Sequence, residues 1–400
     1  MRERIQIIDA FEANFLHGAG ENVTTSALGD VVSGMKKLFS LSKNVQEINY
    51  RNGDIYKGEV TPGGKREGKG IVWFNANRGT NDDISHNGDV YCGDWVDDQF
   101  DGTGTYIFKN GERYRGTLKA GQKNGIGTFY YADGNVYYGH WSLDVKNGNG
   151  EMFYKNGDLY KGQWVTGKCN GFGEYIYFFG DKYTGEWSDG NKNAPSGLLT
   201  YHNGAKYQGG WNNDKGNGTN CSFIYHNGER YEGGFIDSKR SSENGTYTFK
   251  DGGVYKGRFE DDERNGYGEM NYANGDRYEG EHREGMRSGK GYYQYGNGDQ
   301  YIGQWSRNMR HGVGHMKYAN GDSYNGDWYE GFKTGIGTFS AVGGDKYEGK
   351  WFEDRRHGQG KYLFPNKDMV VGLFEFDRFR HGFYKTKNGD KRVMADGPRV

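Results

Sequence analysis

Proline fills 4 of the 400 positions and cysteine 3, and Leu, Ile, Val and Phe together fill only 66. So little proline excludes a collagen-like or proline-rich chain. The three cysteines, Cys92, Cys169 and Cys221, are odd in number and far apart, so no disulfide framework is implied. With the four residue types above at about 17%, an ordinary aliphatic interior is excluded as well. An excess of one charge is also missing: 52 basic residues face 53 acidic ones, a net charge of −1. Without a basic excess to neutralise phosphates, no nucleic-acid partner is expected. No apolar run approaches the roughly 20 residues that cross a bilayer. The N-terminus has no continuous apolar stretch of the secretory kind, so a cytoplasmic protein is expected. What the chain has in quantity is glycine, 71 residues, with 33 Tyr and 9 Trp. Disordered chains lack such aromatics. The core must therefore be built from rings packed on bare backbone.

The rings and glycines are periodic. Tyr-x-Gly recurs with Tyr at 56, 91, 114, 137, 160, 183, 207, 231, 255, 278, 301, 324 and 347, at intervals of 23 or 24 after Tyr91. A degraded copy follows at Val370-Val371-Gly372-Leu373-Phe374, and the longer first interval places an insertion at 75–86. Eight of the nine tryptophans, at 95, 141, 164, 187, 211, 305, 328 and 351, hold the fifth position of the motif. About nine residues after the motif's glycine comes Gly-x-Gly, as at 125/127, 171/173, 266/268 and 312/314. An aromatic follows, and then a turn such as Asn156-Gly157-Asp158 or Asn320-Gly321-Asp322. Such a repeat is the mark of a solenoid or array. Asn-Gly predicts a tight hairpin with a type I′ turn, which needs positive φ at both central residues. Each repeat is thus two short antiparallel strands. Their alternation puts Tyr301, Gly303 and Trp305 on one face and Ile302 and Gln304 on the other, where most copies carry polar pairs such as Lys161/Gln163. At ~4.8 Å per strand, the expected array is roughly 130 Å long.

In these residues the chain resembles the MORN-repeat family (membrane occupation and recognition nexus), whose unit reads close to Tyr-x-Gly-x-Trp, Gly-x-Gly and Asn-Gly-Asp. The resemblance implies an all-β fold: an elongated single-layer solenoid of about 14 antiparallel β-hairpin repeats, with a short helical N-terminal segment. Family members serve as ciliary and axonemal scaffolds, cytoskeletal and junction proteins, and regulatory arrays on lipid kinases. The expected organisation is a helical cap or partner-binding segment at 1–46, the solenoid at 47–393 and a tail at 394–400. Between 190 and 260 the glycine pattern is broken, as at Pro195-Ser196-Gly197, and irregular repeats are expected there. In the first segment Ile5, Ile8, Phe11 and Phe15, and then Leu28, Val31, Val32, Met35, Leu38 and Phe39, fall at helical spacing.

No catalytic constellation emerges, and no enzyme, metal or cofactor is expected. Gly162 to Gly167-Lys168 imitates a phosphate loop, but Cys169 stands where a Ser or Thr would hold magnesium, between two strands. His311 and His315 lie in a strand, where i and i+4 do not converge as on a helix. Two surfaces remain as candidates. The first is an aromatic groove for a helix or extended peptide of a protein partner, lined by Tyr137, Trp141, Tyr160, Trp164, Tyr301, Trp305, Tyr324, Trp328, Tyr347 and Trp351. On this reading Trp305→Ala with Trp328→Ala weakens binding and spares stability. The second is an anion-binding rim for phosphoinositide membranes, made by Arg264, Arg287, Arg310, Lys333, Arg356 and Arg380. The reading is a protein-binding scaffold in a cytoskeletal or ciliary assembly, with a phosphoinositide-recognising tether as the alternative. A homodimer through an open sheet edge is a further reading, since unpaired edges pair readily.

Overall fold

A computed structural model describes residues 44–75 and 88–395. The N-terminal segment before 44, with the expected helical cap, most of the insertion and the tail from 396 lie outside the described residues. All described regular elements are strands, and each pairs antiparallel with its neighbours. The first strand, Val45–Asn49, begins inside the stretch assigned to the cap, and the last, Lys391–Ala395, runs just past the expected end of the array. The chain divides into two compact units, 1–192 and 193–400. Each is a single layer of hairpins. The first holds six strands of the Tyr-x-Gly kind, from Ile55–Val60 to Lys182–Ser188, and the second holds eight, from Lys206–Asn212 to Met369–Glu375.

The hairpin Gln300–Ser306 with Met309–Lys317 shows why this sequence folds so. Gly303 stands opposite Gly314, and the Tyr301 ring lies over the pair. A Cβ on Gly303 would come within 2.5 Å of the Tyr301 hydroxyl oxygen and 2.6 Å of the Gly314 Cα. The Tyr301 hydroxyl donates to the carbonyl of Gln304 at 3.0 Å, locking the ring flat on the backbone. The first glycine of Gly-x-Gly has a different task. Gly312 has φ +58° and sits in a β-bulge where the register shifts between Gly303 and Gln304. One glycine makes the bend and the other makes the seat.

The turns differ from the expected type I′ at Asn-Gly. Gly321 N donates to Tyr318 O, Tyr318 N donates to Asp322 O, and only Gly321 has positive φ. This is a three-residue loop, a type I turn closed by a left-handed glycine. Asn320 stays right-handed because its Oδ1 accepts from Asp322 N at 3.0 Å, an Asx turn that fixes the loop. The type I′ turns lie at the other end of the hairpin, at pairs such as Arg307-Asn308, Asp261-Asp262 and Glu353-Asp354, where both residues have positive φ. In the irregular stretch of the second unit the return strands are cut in two, Lys215–Gly216 then Gly218–Ile224, and Lys239–Arg240 then Ser242–Thr248. The Gly-x-Gly is displaced in the first, at Gly216-Asn217-Gly218, and broken in the second, at Glu243-Asn244-Gly245, and the register shift widens to the breaks Gly218/Cys221 and Ser242/Gly245.

Gly303→Ala is expected to lower stability by about 1–3 kcal/mol through overpacking against a ring and a backbone that cannot retreat. Urea unfolding followed by tryptophan fluorescence measures it. An unchanged midpoint contradicts the seat.

Candidate functional site

The ten rings assigned to a groove are all buried, at 0–7% exposure. They form a herringbone. Tyr301 meets Trp305 edge-on at 5.2 Å and Trp328 of the next repeat at 5.4 Å, and Tyr324 meets Trp328 at 5.2 Å and Trp351 at 5.3 Å. In the first unit Tyr137 likewise lies between Trp141 and Trp164, and Tyr160 between Trp164 and Trp187. From Trp141 onward each indole of the row donates to a carbonyl of the preceding repeat, as Trp328 Nε1 does to Gly314 O at 3.2 Å; Trp95 Nε1 is buried with no partner among the described residues. Edge-to-face geometry satisfies the ring quadrupoles, and where the hydrogen bond is made it satisfies the indole's one polar atom. These rings are the core that joins repeat to repeat, so a groove reachable by a partner is not lined by them.

The basic row also turns inward. Its members are half-buried, and Arg264, Arg287, Arg310, Lys333 and Arg356 lie on the ring face, while at the last copy Phe379 takes that slot and Arg380 is displaced by one residue. Arg310 lies over Trp328 at 4.2 Å and donates to the carbonyl of Gly331 at 2.7 Å. Arg287 lies over Trp305 at 4.6 Å and donates to Asn308 O, while Arg264 donates to Gly285 O. Arg356 Nε donates to Asp377 Oδ1 at 3.0 Å, and Arg380 pairs with Glu375. Lys333 lies over Trp351 at 5.0 Å, and burial holds its ammonium below the ordinary pKa. From Arg264 to Arg356 the row is a brace from each repeat to the type I′ turn of the next, where cation–π and hydrogen bonds coincide; Arg380 instead pairs within its own hairpin. A free rim of guanidinium groups is not formed by these residues. At the opposite end a second brace runs through the Asn-Gly-Asp turns: Asp322 Oδ1 accepts from Val342 N of the next turn at 2.9 Å.

One member of the ring row is a titratable imidazole. His282 takes the tryptophan slot four residues after Tyr278, with Tyr255 and Tyr278 edge-on at 5.1 Å on its two sides. Counting four from Tyr278 in the sequence finds it. It is buried, and its Nδ1 has no hydrogen-bond partner among the described residues. Burial, with the charges of Arg264 and Arg287 nearby, pulls its pKa down to about 4.

The face away from the rings is where side chains are open to a partner. Its apolar members are mainly the middle residues of Gly-x-Gly: Ile126 and Phe172 in the first unit, and Tyr267, Val313 and Ile336 in the second. Tyr138 and Ile302 join them from the Tyr-x-Gly strands. Phe172, Ile302 and Val313 are 61%, 58% and 59% exposed. In the second unit Tyr267, Tyr292, Ile302 and Val313 line an open trough of about 500 Å³, with Glu279 and Lys290 among its polar members. In the first unit Ile126 and Tyr138 line one of about 360 Å³ with His140 and Lys161. The polar pairs of the alternation mask this face in the sequence, although the x of Gly-x-Gly is a readable signal. His311 lies on it near Tyr329, and His315 stands opposite Ile302.

Comparison with known proteins supports the same repeat. The family model for the MORN repeat matches eleven segments, the first at residues 91–113 and the last at 347–369. No curated protein sequence matches the chain significantly. Among solved structures, the SAS-4 TCP domain of Drosophila melanogaster, in complex with a proline-rich motif of Ana2, is 15% identical. It covers 40% of this chain and 90% of its own, with a TM-score of 0.27. The TCP10 domain of Danio rerio CPAP is 12% identical over 55% of this chain and 92% of its own, with a TM-score of 0.19. Scores this low carry no argument about this chain.

The double variant Trp305→Ala with Trp328→Ala is now expected to cost about 3–5 kcal/mol per ring. Loss of cooperative thermal unfolding is the readout, and a melting curve like wild type contradicts the core assignment. His282 gives a pH signature. It is neutral in the fold down to about pH 4, while in the unfolded chain it takes up a proton below about 6.5. Its contribution is therefore fully present above pH 6.5 and falls away as the pH drops toward 4, by up to about 3 kcal/mol. His282→Phe, the residue type that fills this slot at Phe235 and Phe259, should remove that part of the slope. Parallel pH–stability curves for variant and wild type contradict it.

Proposed function

Because the chain belongs to the MORN-repeat family, we propose that it is a non-catalytic scaffold holding protein partners on the outer faces of its units. One observation carries this reading: large apolar side chains such as Phe172, Ile302 and Val313 stand exposed on a single-layer sheet, between polar neighbours. Apolar patches rimmed by polar residues are what protein interfaces are made of. The occupant is a helix or extended peptide of another protein, as first expected, but on the opposite face. A ciliary, axonemal or other cytoskeletal assembly in the cytoplasm is the setting that the family resemblance suggests. The troughs are shallow and open, and this supports a binding role over a catalytic one. Self-association is proposed through the exposed strand Lys391–Ala395, which pairs with Arg378–Lys385. The alternative, a phosphoinositide tether, needs guanidinium groups free to meet phosphate, and those of Arg264, Arg287, Arg310 and Arg356 already donate within the fold. It therefore ranks second.

The test is affinity capture with the full-length chain as bait, comparing wild type with Ile302→Asp plus Val313→Asp. Partners held by wild type should fall about tenfold with the variant, while its melting temperature stays within a few degrees. Equal recovery of the same proteins contradicts the outer-face reading.

A further inference from the structure

The middle residue of Gly-x-Gly falls on the outer face, and in three consecutive repeats of the second unit it is Tyr267, Lys290 and Val313. Their strands, Glu263–Asn271, Met286–Gln294 and Met309–Lys317, alternate with Arg277–Arg283 and Gln300–Ser306. Successive members therefore stand two strands apart, about 10 Å. The row reads apolar, basic, apolar, and all three side chains line the trough. The acidic groups beside it are engaged within the fold. Glu279 accepts from the Tyr267 hydroxyl at 2.6 Å and pairs with Arg277 at 2.8 Å, and Glu281 accepts from Lys290 N at 3.2 Å. The ammonium of Lys290 has no hydrogen-bond or ion-pair partner among the described residues. Elsewhere the basic residue of such a place is matched. Lys69, the middle residue of its own Gly-x-Gly, pairs with Asp94, and Lys161 in the trough of the first unit pairs with Glu151 at 2.8 Å. An exposed charge left unmatched between apolar neighbours is completed by a partner of opposite charge. The bond from Tyr267 to Glu279 also fixes one apolar wall in advance, which lowers the cost of ordering it on binding.

We propose that this row binds an extended, acidic segment of a partner protein: a carboxylate meets Lys290, and apolar side chains three residues to either side rest on Tyr267 and Val313. The proposal rests on the outer-face reading above and names the chemistry of its occupant. Spacing selects the conformation. A polyproline-type chain returns a side chain to the same side every third residue, about 9 Å along its axis, which matches two strand spacings. An α-helix returns about every 5.4 Å and would set its intervening side chains on Glu281 and Gln304, the polar residues opposite Tyr267 and Lys290. Tyr292 and Ile302, which face each other one row away, add apolar surface along the flank of the segment. The corresponding row of the first unit, Thr103, Ile126, Asn149 and Phe172, holds no charge, so acidic segments are directed to the second unit.

Panning a phage library of random linear peptides, each about twelve residues long to span the row, against the full-length protein tests it. Enriched peptides should carry an Asp or Glu with a large apolar residue three positions to either side. By fluorescence polarisation, a synthetic peptide of that consensus should bind Lys290→Gln about tenfold more weakly than wild type, and Lys290→Glu more weakly still, at unchanged melting temperature. Changing the acidic residue of the peptide to Lys should restore binding to Lys290→Glu. Enriched peptides that bind wild type and Lys290→Gln equally overturn the proposal. If those peptides are lost with Ile302→Asp plus Val313→Asp, the outer-face reading stands without it; if they are retained there, that reading fails as well. No enrichment over background overturns the proposal alone, because the outer-face reading is judged by capture of whole partner proteins.

Discussion

The structure depends on a tyrosine ring lying flat on a pair of glycines that face each other across two strands. Tyr301 over Gly303 and Gly314 is one instance, with no space for a Cβ on Gly303. The ring brings its own apolar surface to a backbone that has none, and its hydroxyl, bound to Gln304 O, satisfies the polar edge. Burial raises the pKa of that hydroxyl above its ordinary value, so it remains a donor. Because the seat is made of glycine, the next indole can come close enough to meet the ring edge-on. Repeat stability and repeat-to-repeat coupling therefore come from the same contact.

This explains how a chain so poor in aliphatics holds together. The interior is a line of rings, closed at one end by Asp–amide bonds between loops and at the other by arginines and lysines stacked on indoles. The two ends use charge for structure, which is why a regular row of basic residues is not a free electrostatic surface. What remains for partners is the other side of the sheet.

Much of this was legible in the sequence. The period, the hairpins, the ring face at Tyr301, Gly303 and Trp305, and the irregular repeats after 190 follow from spacing and alternation. The site was misread for physical reasons. A one-layer sheet suggested rings with nothing to bury them, but seating on glycine and edge-to-face packing buries Trp305 and Trp328 without a second layer. The arginine row looked solvated because sequence gives the position of Arg310 and not the Trp328 ring that it lies on. Ile126, Phe172 and Val313 occupy the variable position between two glycines, where no alternation of residue type marks them as a surface.

The central claim is that the tryptophans are interior and the working surface lies on the opposite face. Acrylamide quenching of tryptophan fluorescence in the native full-length protein tests it most directly. The account predicts blue-shifted emission and weak quenching for the dominant signal, because eight of the nine indoles sit in the ring row and are buried. Emission and quenching like those of free tryptophan in water would contradict it, and would return the rings to an open groove.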